Sequence, residues 1–403
     1  MPQTSRVLHS RFAGNSRGRD FTSPAWKARG WRTCQNVVWY RRTDPIRSLE
    51  VRNTHDMNEK PVHVLSVLRL SEEQLARLRA VSPRLVVRQR TLWNTLAARV
   101  GAQDFAEVLS PEIEVLLTFT TPFELSMAPN LRWVQAQSAG IDMMYNTPIW
   151  RSEIAITSAN GVHSVQIAEY VLGMLLSLVH HFPAAYRLQS EARWPGMQEK
   201  STFTTRELRD KTLGILGYGA IGREVARLAS AFGMRVLATR RTGRPAAFDG
   251  WTLPGTGDPD GSIPARFYDL NELHEMLPAC DMLVLALPLS AQTRHLIGQA
   301  EFALMRPHVF LVNIGRGPLI DHDALVEALR EKRIRGAALD VTEPEPLPAD
   351  SPLWHMENTI ITPHISGLSA YYYERLVELF AENLRRYLAG EPLLNLVQRE
   401  LGY

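Results

Sequence analysis

Cysteine is nearly absent: the 403-residue chain has Cys34 and Cys280 and no others. Two thiols support neither a disulfide framework nor a zinc site, so a reducing compartment is the default expectation. No apolar run approaches the roughly 20 residues a membrane helix needs. The most apolar stretch, Ile167 to Phe182, contains Glu169, His180 and His181. A basic stripe is missing as well. Residues 1–56 hold 11 Lys/Arg against 4 Asp/Glu, whereas the remainder holds 34 against 38. The body is therefore mildly acidic, which excludes the electrostatic footprint of a nucleic-acid binder. No solenoid-type repeat occurs. What is left is an ordinary globular composition, long enough for about two domains. The expectation is a cytoplasmic protein with no nucleic-acid and no membrane partner.

The arginine-rich segment 1–56 carries Trp26, Trp31 and Trp39 without sustained periodicity. It reads as an organelle transit peptide, as a disordered extension, or as an upstream reading-frame extension with Met57 as the true start. The abrupt change at Met57-Asn-Glu-Lys favours the third, and residues 1–60 are expected to be a disordered extension. Organelle targeting is the alternative to the cytoplasm.

From Val62 strands and helices alternate, which implies parallel sheets with helices on their faces. In the first half, strands are expected at Val62 to Leu68, Leu85 to Val87, Ile113 to Phe119, Leu131 to Gln135 and Ile154 to Thr157. Helices are expected at Ser71-Glu-Glu onward and at Thr91 to Val100. Val165 to Phe182 reads as one long apolar helix, and 183–208 as a polar excursion, either a dimer arm or a surface loop. Further strands are expected at Asp281 to Leu287, Val309 to Asn313, Ala337 to Val341 and Thr359 to Thr362. Short helices fall at Leu270 to Leu277 and Asp321 to Arg330, and an amphipathic one at Ala370 to Leu388.

The richest stretch is Lys211 to Arg241, KTLGILGYGAIGREVARLASAFGMRVLATRR. It reads as strand, glycine turn, helix and strand. Gly217, Gly219 and Gly222 form G-x-G-x-x-G: a tight turn, a close approach to pyrophosphate, and helix–strand packing. The helix start offers free N–H groups to phosphate. NAD-binding folds carry an acid about 20 residues after the first glycine, on the ribose 2′-OH. Here that place reads Thr239-Arg240-Arg241, and the first acid is Asp249. Arg240 and Arg241 suit a 2′-phosphate, so NADP(H) is expected over NAD(H). The alternative is that they stack on adenine without selecting phosphate. Residues 242–267 have loop chemistry and are long for a connection, an insertion expected near the adenosine end.

Three polar residues stand just past predicted strands: Arg316, Glu345 and His364. Strand C-termini form the active edge of an open α/β sheet. Here the chain from about Val62 resembles the D-isomer-specific 2-hydroxyacid dehydrogenases, of the glyoxylate/hydroxypyruvate reductase kind. The resemblance rests on GILGYGAIGREVA, DMLVLALPLSAQTRHLIG, VNIGRGPLIDHDALVEAL, GAALDVTEPEPLP and NTIITPHISG, in the family order over about 340 residues. It implies an α/β fold of two Rossmann-like domains, the first completed by the C-terminal helix. The substrate domain would be 61–162 plus 367–403, and the dinucleotide domain 163–366, including the linker helix. Catalytic roles are implied for Arg316, Glu345 and His364. Cofactor contacts are implied at Tyr218, Ala220 and Ile221 within the glycine turn, and at Leu287, Pro288, Thr293, Ile314, Gly315, Asp340 and Gly367. Ala139, Gly140 and Arg316 would hold the substrate. Thr342 stands where many members have an aromatic residue. No metal is implied, and a homodimer is the usual assembly.

The chemistry is consistent with these residue types. Arg316 has forked donors for a carboxylate and a carbonyl. His364 supplies the alkoxide's proton as general acid, oriented by Glu345. A formate dehydrogenase shares the fold but has Gln at the Glu345 position. A phosphoglycerate dehydrogenase with a C-terminal regulatory domain does not suit a chain ending soon after its last helix. A dinucleotide-sensing corepressor of the same fold would keep the same trio. Tyr371, Tyr372, Tyr373 and Trp354 either bound the substrate pocket or pack the C-terminal helix.

Overall fold

The computed structural model describes residues 60–92, 100–241, 243 and 246–402. The extension expected at 1–60 lies, but for Lys60, outside the described residues, as does most of the helix expected at Thr91 to Val100.

Two parallel sheets organise the chain. The first orders its strands β2-β1-β3-β4-β5, where β1 is Val62–Ser66, β2 Leu85–Gln89, β3 Ile113–Thr118, β4 Trp133–Ala136 and β5 Ala155–Thr157. The second orders seven strands β12-β11-β10-β9-β6-β7-β8. These are β6 Thr212–Leu216, β7 Arg235–Thr239, β8 Arg266–Tyr268, β9 Met282–Leu285, β10 Phe310–Asn313, β11 Gly336–Leu339 and β12 Thr359–Ile361. All their pairings are parallel. Strands such as TLGIL and MLVL are buried along their whole length. Helices cover both faces, so apolar residues need not alternate.

The C-terminal helix Tyr372–Ala389 packs into the core of the first sheet through Leu376, Phe380 and Leu384. Phe380 and Tyr387 lie 5.3 and 5.6 Å from the Trp133 ring. A buried polar network stitches it in place. Thr157 Oγ1 donates to Gln135 Oε1 at 2.8 Å, and Asn383 Nδ2 donates to the same oxygen at 3.2 Å. The first Rossmann-like unit is thus completed by the chain's last helix.

Three local expectations need correction. The apolar linker is not one helix to Phe182: it ends at Val179 and a second helix, Phe182–Ser190, leaves it at 69°. His181 adopts φ +56° and Pro183 opens the new helix, so the i→i−4 ladder is broken there. The excursion 183–208 is partly helical, containing most of that helix and Met197–Lys200. The insertion 242–267 runs into an edge strand, β8, whose three residues are too few for a readable alternation. No single helix among the described residues is long and apolar enough to cross a membrane.

Candidate active site

In the second sheet the order reverses between β6 and β9, a topological switch point where such sheets bind ligands. The glycine turn leaves β6 there. Gly217 has φ +100°, and a Cβ on it would lie 2.7 Å from the Ala286 carbonyl oxygen. A Cβ on Gly222 would lie 2.2 Å from Gly217 O, so the helix Ala220–Ala231 seats directly on the turn. Gly219 faces open space. Thr239 closes the turn from β7, its Oγ1 accepting from Gly217 N at 3.0 Å and its carbonyl from Tyr218 N at 3.1 Å.

The donor set suits a dinucleotide. The open face at Gly219 adjoins the start of the helix at Ala220 and Ile221, with its free N–H groups. At the end of β7 the Arg240 guanidinium lies 4.3 Å from the Phe267 ring centre, and its Nη1 is buried without a hydrogen-bond partner. Arg241 follows it. Across the switch point Thr293 Oγ1 donates to Pro288 O at 2.8 Å and orders the loop after Leu287. Ile314 N donates to Leu285 O at 3.1 Å, and a Cβ on Gly315 would meet Leu287 O at 2.7 Å. The exits of β9 and β10 therefore lie side by side.

β10, β11 and β12 are neighbours, so their C-terminal exits carry Arg316, Glu345 and His364 on one edge. Asn313, buried at the end of β10, donates from Nδ2 to Arg316 O at 2.9 Å and accepts from Gly315 N at 3.1 Å. Arg316 Nη1 donates to Gly315 O at 2.8 Å, and Nη2 reaches Asp142 Oδ1 at 2.7 Å. Asp142 belongs to the turn after β4 in the other sheet. A Cβ on Gly140 in that turn would lie 1.9 Å from Arg316 Nη2. The turn after β4 thus meets the exit of β10 here, with Gly140 against the Arg316 guanidinium.

His364 Nδ1 and Glu345 Oε1 are 2.7 Å apart, both side chains about half exposed. His364 sits at φ +54°, a region non-glycine residues rarely occupy. Its turn is held by Asp340. That buried carboxylate accepts from Thr362 Oγ1 at 2.7 Å, Ile365 N at 2.8 Å and Ser366 N at 3.0 Å. Gly367 follows, its carbonyl accepting from Gln166 Nε2 at 3.0 Å and lying 3.1 Å from His163 Nδ1. Burial holds the His163 imidazole below the usual histidine range. His163 is thus held at the start of the linker helix against Gly367, whereas the His364 side chain is about half exposed. Tyr372 stacks on His163 with ring centres 4.9 Å apart, while Tyr371 and Trp354 are exposed. Among the described residues no cluster of His, Cys, Asp and Glu could hold a metal ion.

Asp142, Asn313 and the pair His163–Gln166 that holds Gly367 were not singled out from sequence. The acid two places after Gly140 and the Asn preceding Ile-Gly-Arg-Gly are the only local signals for the first two.

Residues 172–366 match the family model described as D-isomer specific 2-hydroxyacid dehydrogenase, NAD binding domain. A glyoxylate reductase of Aeropyrum pernix is 35% identical over 280 residues, 69% of this chain and 79% of that one. A D-isomer specific 2-hydroxyacid dehydrogenase from Xanthobacter autotrophicus, solved with NADPH and MES, superposes with a TM-score of 0.66 at 27% identity, covering 86% of this chain and all of that one. An NADPH-dependent glyoxylate/hydroxypyruvate reductase from Sinorhizobium meliloti, solved with NADP and sulfate, gives 0.64 at 25% identity, over 85% of this chain and all of that one. The paired parallel sheets, the glycine turn at the switch point and these matches agree: the chain belongs to the D-isomer specific 2-hydroxyacid dehydrogenases.

Proposed function

We propose that the protein reduces a small 2-keto acid to the D-2-hydroxy acid with NADP(H) as the preferred cofactor. The observation that carries this reading is the His364–Glu345 pair, 2.7 Å apart, on the same sheet edge as Arg316. When bound, the nicotinamide supplies or accepts the hydride. Arg316 holds the substrate carboxylate and polarises the carbonyl, with the amides near Ala139 and Gly140 as further donors. His364 gives its proton to the developing alkoxide in reduction and takes it back in oxidation. Glu345, at Nδ1, orients the ring so that Nε2 faces the substrate. Asp340 and Gly367 support this machinery from behind, and Leu287, Pro288, Thr293, Ile314 and Gly315 line the cofactor's path.

Residues 61–162 with 367–403 are assigned to substrate binding and 163–366 to the dinucleotide. Arg240, with a buried unpartnered Nη1 and no acid at the end of β7, supports selection of a 2′-phosphate. The relatives from Xanthobacter and Sinorhizobium were solved with NADPH and NADP, which supports the same preference. A homodimer fits the arm at 182–203, where Trp194 and Met197 are 85% and 82% exposed. The cytoplasm fits a chain with so few thiols.

The test is NAD(P)H oxidation with glyoxylate, hydroxypyruvate and larger 2-keto acids. Turnover with at least one of them is expected, with a lower Michaelis constant for NADPH than for NADH. The reverse cofactor order would remove the assignment of Arg240 to the phosphate.

A further inference from the structure

Beyond Arg240 and Arg241, the segment between β7 and β8 is used by none of the chemistry above. Residues 246–263 form no helix or strand, yet they are densely bonded at both ends. At one end lies Asp258, buried. Its carboxylate accepts from Tyr218 Oη at 2.6 Å, from Ser262 N and Ile263 N at 3.0 Å each, and from Ser262 Oγ at 3.3 Å. Tyr218 is the residue between the first two glycines of the turn. Its ring meets Phe267 edge-on at 5.2 Å and lies under the Arg223 guanidinium at 4.8 Å. Arg223, buried in the first helical turn, donates to Asp258 O at 2.5 Å and Ala246 O at 2.6 Å. Glu224 beside it accepts from Gly257 N at 2.6 Å.

The other end reaches the first sheet. Trp251 N donates to Asn395 Oδ1 at 3.1 Å. Asn395 Nδ2 donates to Asn160 O at 2.9 Å and Ser158 O at 3.2 Å. A Cβ on Gly161 would lie 2.0 Å from Trp251 O. Residues 158–161 are the crossing from β5 into the linker helix. The insertion thus connects the glycine turn to the point where the chain passes between its two sheets.

From this connection we infer that Tyr218 and Asp258 are positioning residues for dinucleotide binding, and that residues 246–263 are a brace holding the glycine turn against the interdomain crossing. The inference rests on the dinucleotide reading of the turn. A pyrophosphate is bound by backbone amides whose directions must be set in advance. The Tyr218 side chain is the turn's handle. It is gripped by a carboxylate, a charge-assisted bond stronger than a neutral one. Because the brace is anchored at Asn395, a shift of one sheet against the other is transmitted to the turn. Asp258 itself is saturated by these donors and is not the ribose-binding acid that the end of β7 lacks.

The experiment uses the full chain and titrates NADPH by calorimetry, with kcat read at saturating NADPH and keto acid. Tyr218→Phe keeps the ring and removes the handle's bond. It is expected to raise the NADPH Kd about three- to tenfold, the scale of one net hydrogen bond. Its kcat at saturating NADPH is read alongside, and the loss in Kd is expected to exceed any loss in kcat, the mark of weakened binding rather than altered chemistry. Asn395→Gly, at the far end, removes the acceptor of the Trp251 amide at a position of φ +57° that glycine adopts without strain. It should raise the Kd as well, and the double variant should show less than the product of the two effects because both release one brace. Ser262→Ala, which removes a weaker donor to the same carboxylate, should give a smaller shift in the same direction. A wild-type Kd in Tyr218→Phe, whatever its melting temperature, overturns the positioning role and leaves a structural staple. Multiplicative effects in the double variant overturn the brace. A wild-type chain that binds no NADPH fails the dinucleotide reading itself, before either variant is compared.

Discussion

His364 owes its position to backbone more than to its own side chain. Its left-handed φ is imposed by a turn whose amides bond the buried Asp340, and Glu345 then meets its ring at 2.7 Å. Replacing it with alanine leaves Asp340's bonds to Thr362 and Ser366 in place. His364→Ala is expected to lower kcat about 10²–10⁴-fold, the usual contribution of a general acid, while NADPH binding persists. Steady-state kinetics with a parallel binding titration check this, and near-normal turnover would take His364 out of the mechanism. Cys280 illustrates the opposite environment. Burial beside Met276 and Leu283 pushes its thiol up to about 12, so little thiolate exists at neutral pH. The native protein should leave Cys280 unalkylated by iodoacetamide, with modification appearing in denaturant, as read by peptide mass mapping. Rapid labelling of the folded chain would contradict its packing.

Elements show why the glycine motif alone says too little. The turn is legible because its three glycines serve local geometry within a few residues of each other. The partner of Tyr218 is 40 residues away, in a segment whose composition reads only as loop. The Asp258 carboxylate makes a pH prediction. Burial raises its pKa, but the Tyr218 hydroxyl, the Ile263 and Ser262 amides and the Ser262 hydroxyl outweigh that and hold it below the usual carboxylate range. A carboxylate whose folded pKa is depressed contributes stability that is present above its unfolded value, about 3.9, and is lost as pH falls through the folded value. The gap in melting temperature between wild type and Asp258→Asn should therefore be widest near neutral pH and should narrow below about pH 4. Thermal unfolding followed across that range decides it, and an unchanged gap would mean that the charge does not matter there. The linker carries a similar lesson. Apolar periodicity runs through to Phe182, but the bend at His181 is set by packing and Pro183, which hydropathy does not register.

At the scale of the whole molecule, the two sheets meet through residues that no single segment supplies. Arg316 from one and Asp142 from the other are 174 residues apart in sequence and 2.7 Å apart in space. Both are partly exposed, so the pair adds little to stability, under about 1 kcal/mol. Its consequence is geometric, since it brings the turn after β4 to the arginine. A ligand bound between such units favours the folded form by mass action. At 100 times its Kd, NADPH should stabilise the protein by about 2.7 kcal/mol. NADH at equal concentration should raise the melting temperature less, as read by a thermal shift series. Equal shifts would count against a 2′-phosphate contact at Arg240.

The sequence by itself determined the fold class, the glycine turn, the trio at the strand ends and the absence of an acid after β7. Each depends on short-range order: fully apolar strands, glycines at fixed offsets, polar residues just beyond strand termini. Only the tertiary structure decided that Asp142 meets Arg316, that Asp340 holds the histidine turn, that the linker bends, and that the insertion is a bonded brace rather than a solvent loop. Those are contacts between residues far apart along the chain. They exist because two sheets and a returning C-terminal helix bring distant backbone together, and no local pattern of residues encodes which partner will be found there.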